Sequence, residues 1–153
     1  MNYKLLALGG DGIGPEVLES GLSILEAISK KNNLNFEISF DLIGGTCWDK
    51  YGTFCRNSTI EKAIESDAIL VGAVGGPKWD AMKIKGDPEE QDGLMCLRKK
   101  LGAFFGIRPA KNYKSLQNII PFNKEYVQNS EIIILREMCG GVMFTKPRGL
   151  KIL

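Results

Sequence analysis

The sequence predicts an α/β fold with parallel strands, and three observations indicate that class. Apolar runs typical of buried strands alternate with stretches in which leucines recur at helical spacing. Glycine-rich turns separate these stretches. The resulting order of strand, helix, strand, helix, strand is the one in which helical crossovers join parallel strands. We therefore expect a mixed, mainly parallel sheet flanked by helices.

The first elements follow from hydrophobic periodicity. Tyr3 to Leu8 is an apolar run that ends at a glycine pair, which predicts a buried strand entering a turn. Pro15 suits the first turn of a helix that lasts until the polar residues 30–33. Residues 34–42 alternate between apolar and polar, which indicates a half-buried strand. The apolar positions of the predicted helix are Leu18, Leu22, Leu25 and Ile28.

The middle of the chain contains a second helix and a third strand. The segment from Ser58 to Glu61 has the capping-box pattern and predicts the start of the second helix. Residues 68–74 form a continuous apolar run, closed by Gly75, Gly76 and Pro77, and predict a buried strand.

The later elements are a polar loop, a third helix and two more strands. Residues 83–93 are polar and charged, as in a surface loop. Residues 107–110 and 132–135 have the composition of strands, with a polar connection between them. The third helix is predicted from a stripe formed by Leu94, Leu97, Leu101 and Phe104 or Phe105.

Composition and charge limit the class of protein. The chain has 153 residues, of which 44% are hydrophobic and 25% charged, enough for a domain with a real core. A net charge of +2 is too close to neutral to indicate nucleic acid or a membrane surface as a partner. Apolar runs are too short to span a bilayer, and no leader-like segment opens the sequence. We expect a cytoplasmic protein.

Cysteine and histidine content restricts the chemistry. The spacings of Cys47, Cys55, Cys96 and Cys139 match no zinc motif and favour free thiols over a disulfide or metal role. The chain has no histidine, which removes the commonest general base and every nucleophile–histidine pair. Chemistry here must use carboxylates, lysines, tyrosines or a metal.

The glycine turn after the first strand invites a dinucleotide-binding interpretation, with Asp41 as the ribose-binding acid. The spacing argues against it. Pro15 stands where the third glycine of the G-x-G-x-x-G pattern should be, and Asp11 would repel a pyrophosphate. A tight strand-to-helix turn is therefore favoured over phosphate binding, and the fold is expected not to be a Rossmann fold.

Five motifs stand out across residues 8–149. They are Gly10-Asp11-Gly12-Ile13-Gly14-Pro15-Glu16, Val74-Gly75-Gly76-Pro77-Lys78-Trp79-Asp80, Leu97-Arg98-Lys99-Lys100, Ile107-Arg108-Pro109-Ala110-Lys111, and the segment from Leu135 to Gly149. Together, and in this order, they resemble the β-decarboxylating dehydrogenases, the family of isopropylmalate and isocitrate dehydrogenases.

The resemblance implies a fold, a reaction and partners. It implies an incomplete isocitrate/isopropylmalate dehydrogenase-like fold, with residues 1–100 on the cofactor side and 101–153 beginning a dimerisation-side domain. The 74–80 motif and the apolar residues 93–95 are most similar to members acting on 3-isopropylmalate. The implied activity is NAD-dependent oxidative decarboxylation in leucine biosynthesis, with Mg2+ or Mn2+ and a homodimer. A tartrate-type or malate-type 2-hydroxy diacid is an alternative substrate.

Three arginines are candidates for binding such a diacid. Arginine offers two-point recognition of a carboxylate and stays charged at any working pH. By resemblance, Arg98, Arg108 and Arg136 grip the malate-like part of the substrate, although each could singly be a solvated arginine. Leu94 and Met95 share a helical face with Arg98, and the resemblance implies that they touch the isopropyl group. Core packing is the alternative role for both.

The cofactor residues are implied by resemblance alone. The nicotinamide and ribose end of NAD is expected to contact Gly76, Pro77, Lys78, Trp79, Asp80 and Gln91. Family members often carry glutamate at the position of Gln91, and Asp92 or Glu90 is a candidate to compensate. Trp79 is alternatively a loop anchor that touches no ligand.

The sequence also departs from the family. Met143 stands where a proton-donating tyrosine is usual, and a thioether has no acidic proton. The family's catalytic lysine, metal-binding aspartates and adenosine loop follow the 135–149 motif, and none is assigned to a residue of this chain. We therefore expect the chain alone to be inactive. The alternative in a different class is a non-catalytic fragment or subunit that joins a full-length or complementary chain.

Overall fold

The computed structural model describes residues 2–82, 92–138 and 140. It divides into two compact units, residues 1–102 and residues 103–153. Within the described ranges, no helix is long and apolar enough to cross a membrane.

The first unit is built on a three-stranded parallel sheet in the order β2-β1-β3. The strands are β1 (Asn2–Gly10), β2 (Asn35–Asp41) and β3 (Ala68–Ala73). In the register, Leu5 of β1 lies opposite Ile38 of β2 and Ala68 of β3. The parallel pairing predicted from the alternation of elements is confirmed for these strands.

The described residues of the first unit form five helices. They are α1 (Gly14–Asn32), α2 (Gly45–Tyr51), α3 (Asn57–Ile64), α4 (Pro77–Asp80) and α5 (Gly93–Lys100). Helix α1 has a proline in its first turn, as predicted, and ends at Asn33 in the left-handed conformation that commonly closes a helix.

Helix α1 begins in backbone contact with the sheet. A Cβ at Gly14 would lie 2.1 Å from the carbonyl oxygen of Gly9, and one at Gly72 would lie 2.3 Å from the carbonyl oxygen of Gly14. Only glycine fits such an approach. The tight strand-to-helix turn is confirmed, and it brings the start of α1 onto the ends of β1 and β3.

One hydrophobic cluster of the first unit lies on the face of the sheet that carries Leu6 and Leu8 of β1, which are fully buried. They pack with residues of α3, of α5 and of the segments before α2 and before α3, namely Ile43, Cys55, Ile60, Ala63 and Leu97. Leu5 and Ala7, on the opposite face of β1, are buried as well.

The second unit contains a two-stranded antiparallel ribbon. Its elements are β4 (Phe105–Lys111), a 3-10 turn (Lys114–Leu116), helix α6 (Lys124–Val127) and β5 (Glu131–Glu137). Both strands agree with the sequence prediction. Between residues 103 and 138, no residue whose exposure is described is buried.

Two predictions about the helices were wrong in detail, and two helices were missed. Helix α3 starts at Asn57 with Arg56 as its N-cap and no side-chain cap, because Thr59 and Ile60 donate their N–H groups to the Arg56 carbonyl. Helix α5 ends at Lys100, so the predicted stripe stops before Leu101 and the phenylalanines. Helices α2 and α4 were not predicted, because they are short and next to glycines, and so show no recognisable helical periodicity of apolar residues. The loop predicted at 83–93 lies mostly outside the described residues.

Candidate functional site

The carboxylate of Asp11, at the end of β1, binds backbone N–H groups in the segments that follow β2 and β3. Asp11 is 2% exposed. Its Oδ2 accepts hydrogen bonds from the N–H groups of Gly45 (2.8 Å) and Gly75 (2.9 Å). Its Oδ1 accepts from the N–H (2.7 Å) and hydroxyl (2.8 Å) of Thr46. These bonds satisfy the buried charge, so Asp11 is an organising residue of this edge.

The loop after β3 carries the predicted cofactor residues 76–80. It begins at Gly75, which Asp11 holds, and continues into the short helix α4. Asp49 of α2 accepts hydrogen bonds from Lys78 Nζ (2.6 Å) and Trp79 Nε1 (3.2 Å). Trp79 is half-buried, and its bond to Asp49 ties the loop to α2; whether it also contacts a ligand stays a prediction.

A cavity of about 230 Å3 opens beside this loop. It lies at the carboxyl ends of parallel strands, where ligands of open α/β sheets bind. The volume is below the roughly 300–1,000 Å3 of typical small-molecule sites. The cavity is lined by Gly44, Gly45, Phe54, Val74, Gly75, Trp79, Asp80, Met82, Asp92 and Gly93.

Asp92 has a structural role at the start of α5. Its Oδ1 accepts hydrogen bonds from the N–H groups of Leu94 (2.8 Å) and Met95 (3.2 Å), which makes it the N-cap. The suggestion that Asp92 compensates for the missing glutamate at Gln91 stays a prediction, and its Oδ1 is the oxygen that caps the helix. An aspartate before an apolar helical run is a cap signal that the sequence offered.

Residues of helix α5 differ in burial, and the candidate substrate residues are more accessible than the core residue Leu97. Leu97 is 2% exposed and packs in the core, whereas Leu94, Met95 and Arg98 are only partly buried. Leu94 and Arg98 are four residues apart and share one face. Core packing is therefore the role of Leu97, whereas the predicted substrate residues Leu94, Met95 and Arg98 are partly accessible to a ligand.

Arg108 and Arg136 lie on the same face of the β4–β5 ribbon. Arg108 pairs with Ile134, and Arg136 pairs with Gly106. The arginines are thus diagonal neighbours across the two strands, a relation that separates Cα atoms by roughly 7–8 Å. Two guanidinium groups at that spacing suit a ligand with more than one carboxylate. Arg98 belongs to the first unit, and its relation to this pair stays a prediction.

Asp41 is committed to an ion cluster and not available to a ribose. It pairs with Arg56 and with Lys62 Nζ (2.9 Å), and accepts from the N–H of Leu42 (2.8 Å). Burial raises the pKa of Asp41, but these hydrogen bonds outweigh burial and leave the pKa below its usual value. This agrees with the sequence argument against the usual dinucleotide-binding mode.

Cysteines of the first unit are free thiols. Cys47, Cys55 and Cys96 form no disulfide, as predicted. Burial, the largest cause, raises the pKa of Cys55 to about 12, and the neighbouring thiols of Cys96 and Cys47 add to it. Burial likewise raises the pKa of Cys47. Such thiols are poor nucleophiles and poor metal ligands at neutral pH.

Several predicted features lie outside the described residues or find no support there. Gln91, Cys139 and Met143 are not among the described positions. Across residues 2–82 and 92–138, no group of three or more acidic or thiol side chains fits a metal ion. The contact of Asp49 with Lys78 and Trp79 was missed, because no local pattern signals a contact across about 30 residues.

Solved structures with a similar fold include two dehydrogenases. The isocitrate dehydrogenase of Methylococcus capsulatus superposes with a TM-score of 0.70 at 18% identity, covering 92% of this chain and 36% of that chain, which shows the fold alone. A β-decarboxylating dehydrogenase of Thermococcus kodakarensis gives a TM-score of 0.62 at 26% identity, with 88% and 33% covered. The fold class is therefore that of these enzymes, as the motifs predicted.

Sequence comparison is more specific. The family model for isocitrate/isopropylmalate dehydrogenase matches residues 4–152. A 3-isopropylmalate dehydrogenase of Dehalococcoides mccartyi is 46% identical over 148 residues, 97% of this chain and 40% of that relative. One from Hydrogenovibrio crunogenus is 41% identical over 153 residues, 100% of this chain and 42% of that relative. The chain belongs to the isocitrate/isopropylmalate dehydrogenase family and spans about two fifths of the length of these relatives.

Proposed function

We propose that this chain supplies the substrate-gripping arginines and the cofactor loop for NAD-dependent oxidative decarboxylation of 3-isopropylmalate, a step of leucine biosynthesis. The observation that carries the proposal is the placement of Arg108 and Arg136 on one face of the ribbon, within a chain 46% identical to a relative of that activity. A cytoplasmic location and a homodimer follow from the same relationship and are part of the proposal.

In the proposed reaction, the substrate hydroxyl becomes a ketone as its carbon loses a hydride and its oxygen a proton. The resulting keto acid then loses carbon dioxide, and the enolate takes up a proton. Arg98, Arg108 and Arg136 bind the two carboxylates and fix the substrate's orientation. Leu94, with Met95, provides an apolar contact that leaves a third carboxylate unpaired, which disfavours isocitrate.

NAD would supply the hydride acceptor, and its nicotinamide and ribose end would be held by residues 76–80 with Gln91. The cavity beside Trp79 and Asp80 has room for that end of the cofactor. The described residues do not fit the divalent metal that the family implies, so no step is assigned to it here. We propose that the 153 residues alone bind the diacid without turning it over.

Binding by the ribbon arginines is tested by calorimetry with 3-isopropylmalate. Arg108→Ala and Arg136→Ala are each expected to weaken binding roughly tenfold or more, since a charge-assisted hydrogen bond is worth about 1.5–3 kcal/mol. Lys111→Ala is the matched control, because Lys111 carries the same charge on β4 but is three residues from Arg108 and so on the opposite face. Equal losses in all three variants would contradict the assignment.

Turnover is tested by NADH formation with 3-isopropylmalate, NAD and magnesium. We expect no signal from the chain alone and a signal after addition of a chain corresponding to the remaining length of a relative. Turnover by the chain alone would contradict the proposed inactivity. Replacing Leu94 with a polar residue in the reconstituted enzyme should shift preference among isopropylmalate, malate and tartrate. An unchanged preference would remove Leu94 from the substrate site.

A second candidate function is a non-catalytic subunit that joins a homologous chain. The observation in its favour is the ribbon, in which apolar side chains of β5 are at least half exposed on both faces, namely Ile132, Ile133, Ile134 and Leu135. Surfaces of this kind mark interaction sites or aggregation liabilities. Co-purification with a full-length relative, without change in that relative's turnover, would favour this function.

A further inference from the structure

Asp49 contacts the cofactor loop through both of its carboxylate oxygens. Oδ2 accepts from Lys78 Nζ at 2.6 Å, and Oδ1 accepts from Trp79 Nε1 at 3.2 Å. Asp49 belongs to α2, and its partners follow β3, about 30 residues later in the chain. The carboxylate therefore fastens the loop to a separate helix.

Helix α2 offers Trp79 a platform as well as a hydrogen-bond acceptor. A Cβ at Gly45 would lie 2.0 Å from the Trp79 ring, so the indole lies directly on the Gly45 backbone. Gly45 and Asp49 are four residues apart and share one face of α2. The ring's apolar surface and its N–H group thus meet the same face of the same helix.

The internal hydrogen bonds of the loop are local, such as those from the Trp79 and Asp80 N–H groups to the Gly76 carbonyl oxygen at 3.0 Å and 2.9 Å. Gly75 and Gly76 have φ angles of 100° and 157°, and glycine restricts the backbone less than any other residue. Helix α4 spans only Pro77–Asp80, too short to be stable without tertiary contacts. Asp11 holds the loop at Gly75, and Asp49 holds it three and four residues further on.

We propose that Asp49 is a positioning residue for the dinucleotide: it holds Trp79 and Lys78 so that residues 76–80 keep the shape that receives the nicotinamide end. This inference rests on the proposed function for its ligand. The ion pair with Lys78, followed by the Trp79 hydrogen bond, lowers the pKa of Asp49, so the tether is charged at neutral pH. The Asp49 side chain is 41% exposed and is not part of the buried core, so its removal is expected to leave that core intact.

The first test is amide hydrogen exchange of residues 76 and 78–80 in Asp49→Ala. We expect exchange at least several-fold faster than in the unchanged chain. Glu26→Ala is the matched control, because Glu26 is also a surface acid paired with a lysine, Lys30 at 2.6 Å, but lies on α1. Unchanged exchange in Asp49→Ala would overturn the proposal, and so would an equal increase in Glu26→Ala.

The Trp79 indole provides a readout that general destabilisation does not produce. The chain has two tryptophans, so Trp48→Phe identifies the Trp79 Nε1–H signal in a nitrogen-15 NMR spectrum. We expect that signal to move with pH as Asp49 titrates, below the ordinary aspartate range. In Asp49→Ala the movement should disappear. A signal that moves equally in both chains would contradict the hydrogen bond on which the tether depends.

Nucleotide affinity separates this inference from the proposed function. NADH fluorescence titration should give a several-fold higher Kd for Asp49→Ala than for Glu26→Ala. If the unchanged chain does not bind NADH, the cofactor assignment fails, while hydrogen exchange still decides whether Asp49 holds the loop. If exchange accelerates but NADH affinity does not change, Asp49 shapes the loop without positioning the nucleotide, and the proposal is wrong.

Discussion

The strands of the two compact units differ in what lies against them. β1 is the central strand of its sheet and has helices on it, so Leu6 and Leu8 are fully buried. β5 has the same kind of apolar run, yet Ile133 is 63% exposed within its ribbon. Local pattern thus suffices to specify a strand and its register. Burial requires further elements, and the described part of the second unit contains only short ones.

The largest expected effect contrasts one apolar deletion in each unit. Leu6→Ala removes a fully buried side chain and should lower the free energy of unfolding by about 2–5 kcal/mol. Ile133→Ala removes an exposed one and should change it by less than about 0.5 kcal/mol. Urea denaturation measures both. A comparable loss for Ile133→Ala would mean that the ribbon is covered in solution, by another copy or another segment.

A smaller effect is expected at the Asp41 ion cluster, which only the first unit contains. Asp41→Asn should cost about 2 kcal/mol, since it leaves the Arg56 and Lys62 charges without their partner. The pKa of Asp41 is lower in the folded chain, so its stabilisation is present above the ordinary aspartate pKa, about 3.9. That stabilisation is lost as pH falls through the lowered value.

The free energy of unfolding, measured between about pH 2 and 6, tests whether stability is lost as the pH falls. The unchanged chain should lose stability towards the acid end, and Asp41→Asn should lose less over the same range. Parallel curves for the two chains would show that the cluster does not contribute to the pH dependence.

The smallest of these effects is expected at the start of α5. Asp92→Ala removes the side-chain acceptor for the Leu94 and Met95 N–H groups and should cost about 1 kcal/mol. Asp92→Ser keeps a capping oxygen and should recover most of the loss. Thermal unfolding distinguishes the two. If serine performs no better than alanine, the cap does not limit the stability of the first unit.

Sequence reasoning succeeded where one period governs a whole element. The regular apolar spacing of β1, α1 and β2 was sufficient to predict them. Strands β4 and β5 were also predicted, and the structure shows that they pair with each other. Helix α2 was missed because glycines at 44, 45 and 52 surround a segment without a clear apolar stripe. Gly44 and Gly45 serve tertiary contacts, such as that of the Trp79 ring with Gly45, that no local window contains.

Sequence reasoning likewise found only part of the candidate site. The motifs identified Arg108 and Arg136, but only strand register shows that they share a face. The roles of Asp11 and Asp92 are contacts of carboxylates with backbone N–H groups, and residue type alone does not distinguish them from ligand-binding acids. Asp49 carried no sequence signal, because its partners are set by how α2 and the loop after β3 come together.

The Asp11 carboxylate has a consequence for the order of folding. Its bonds reach Gly45, 34 residues away, and Gly75, 64 residues away. Contacts of such separation form late, because the loops between them must close first. The turn after β1 therefore cannot reach its final shape until β3 has paired with β1. We therefore expect the loop that begins at Gly75 to be among the last described parts of the first unit to become ordered.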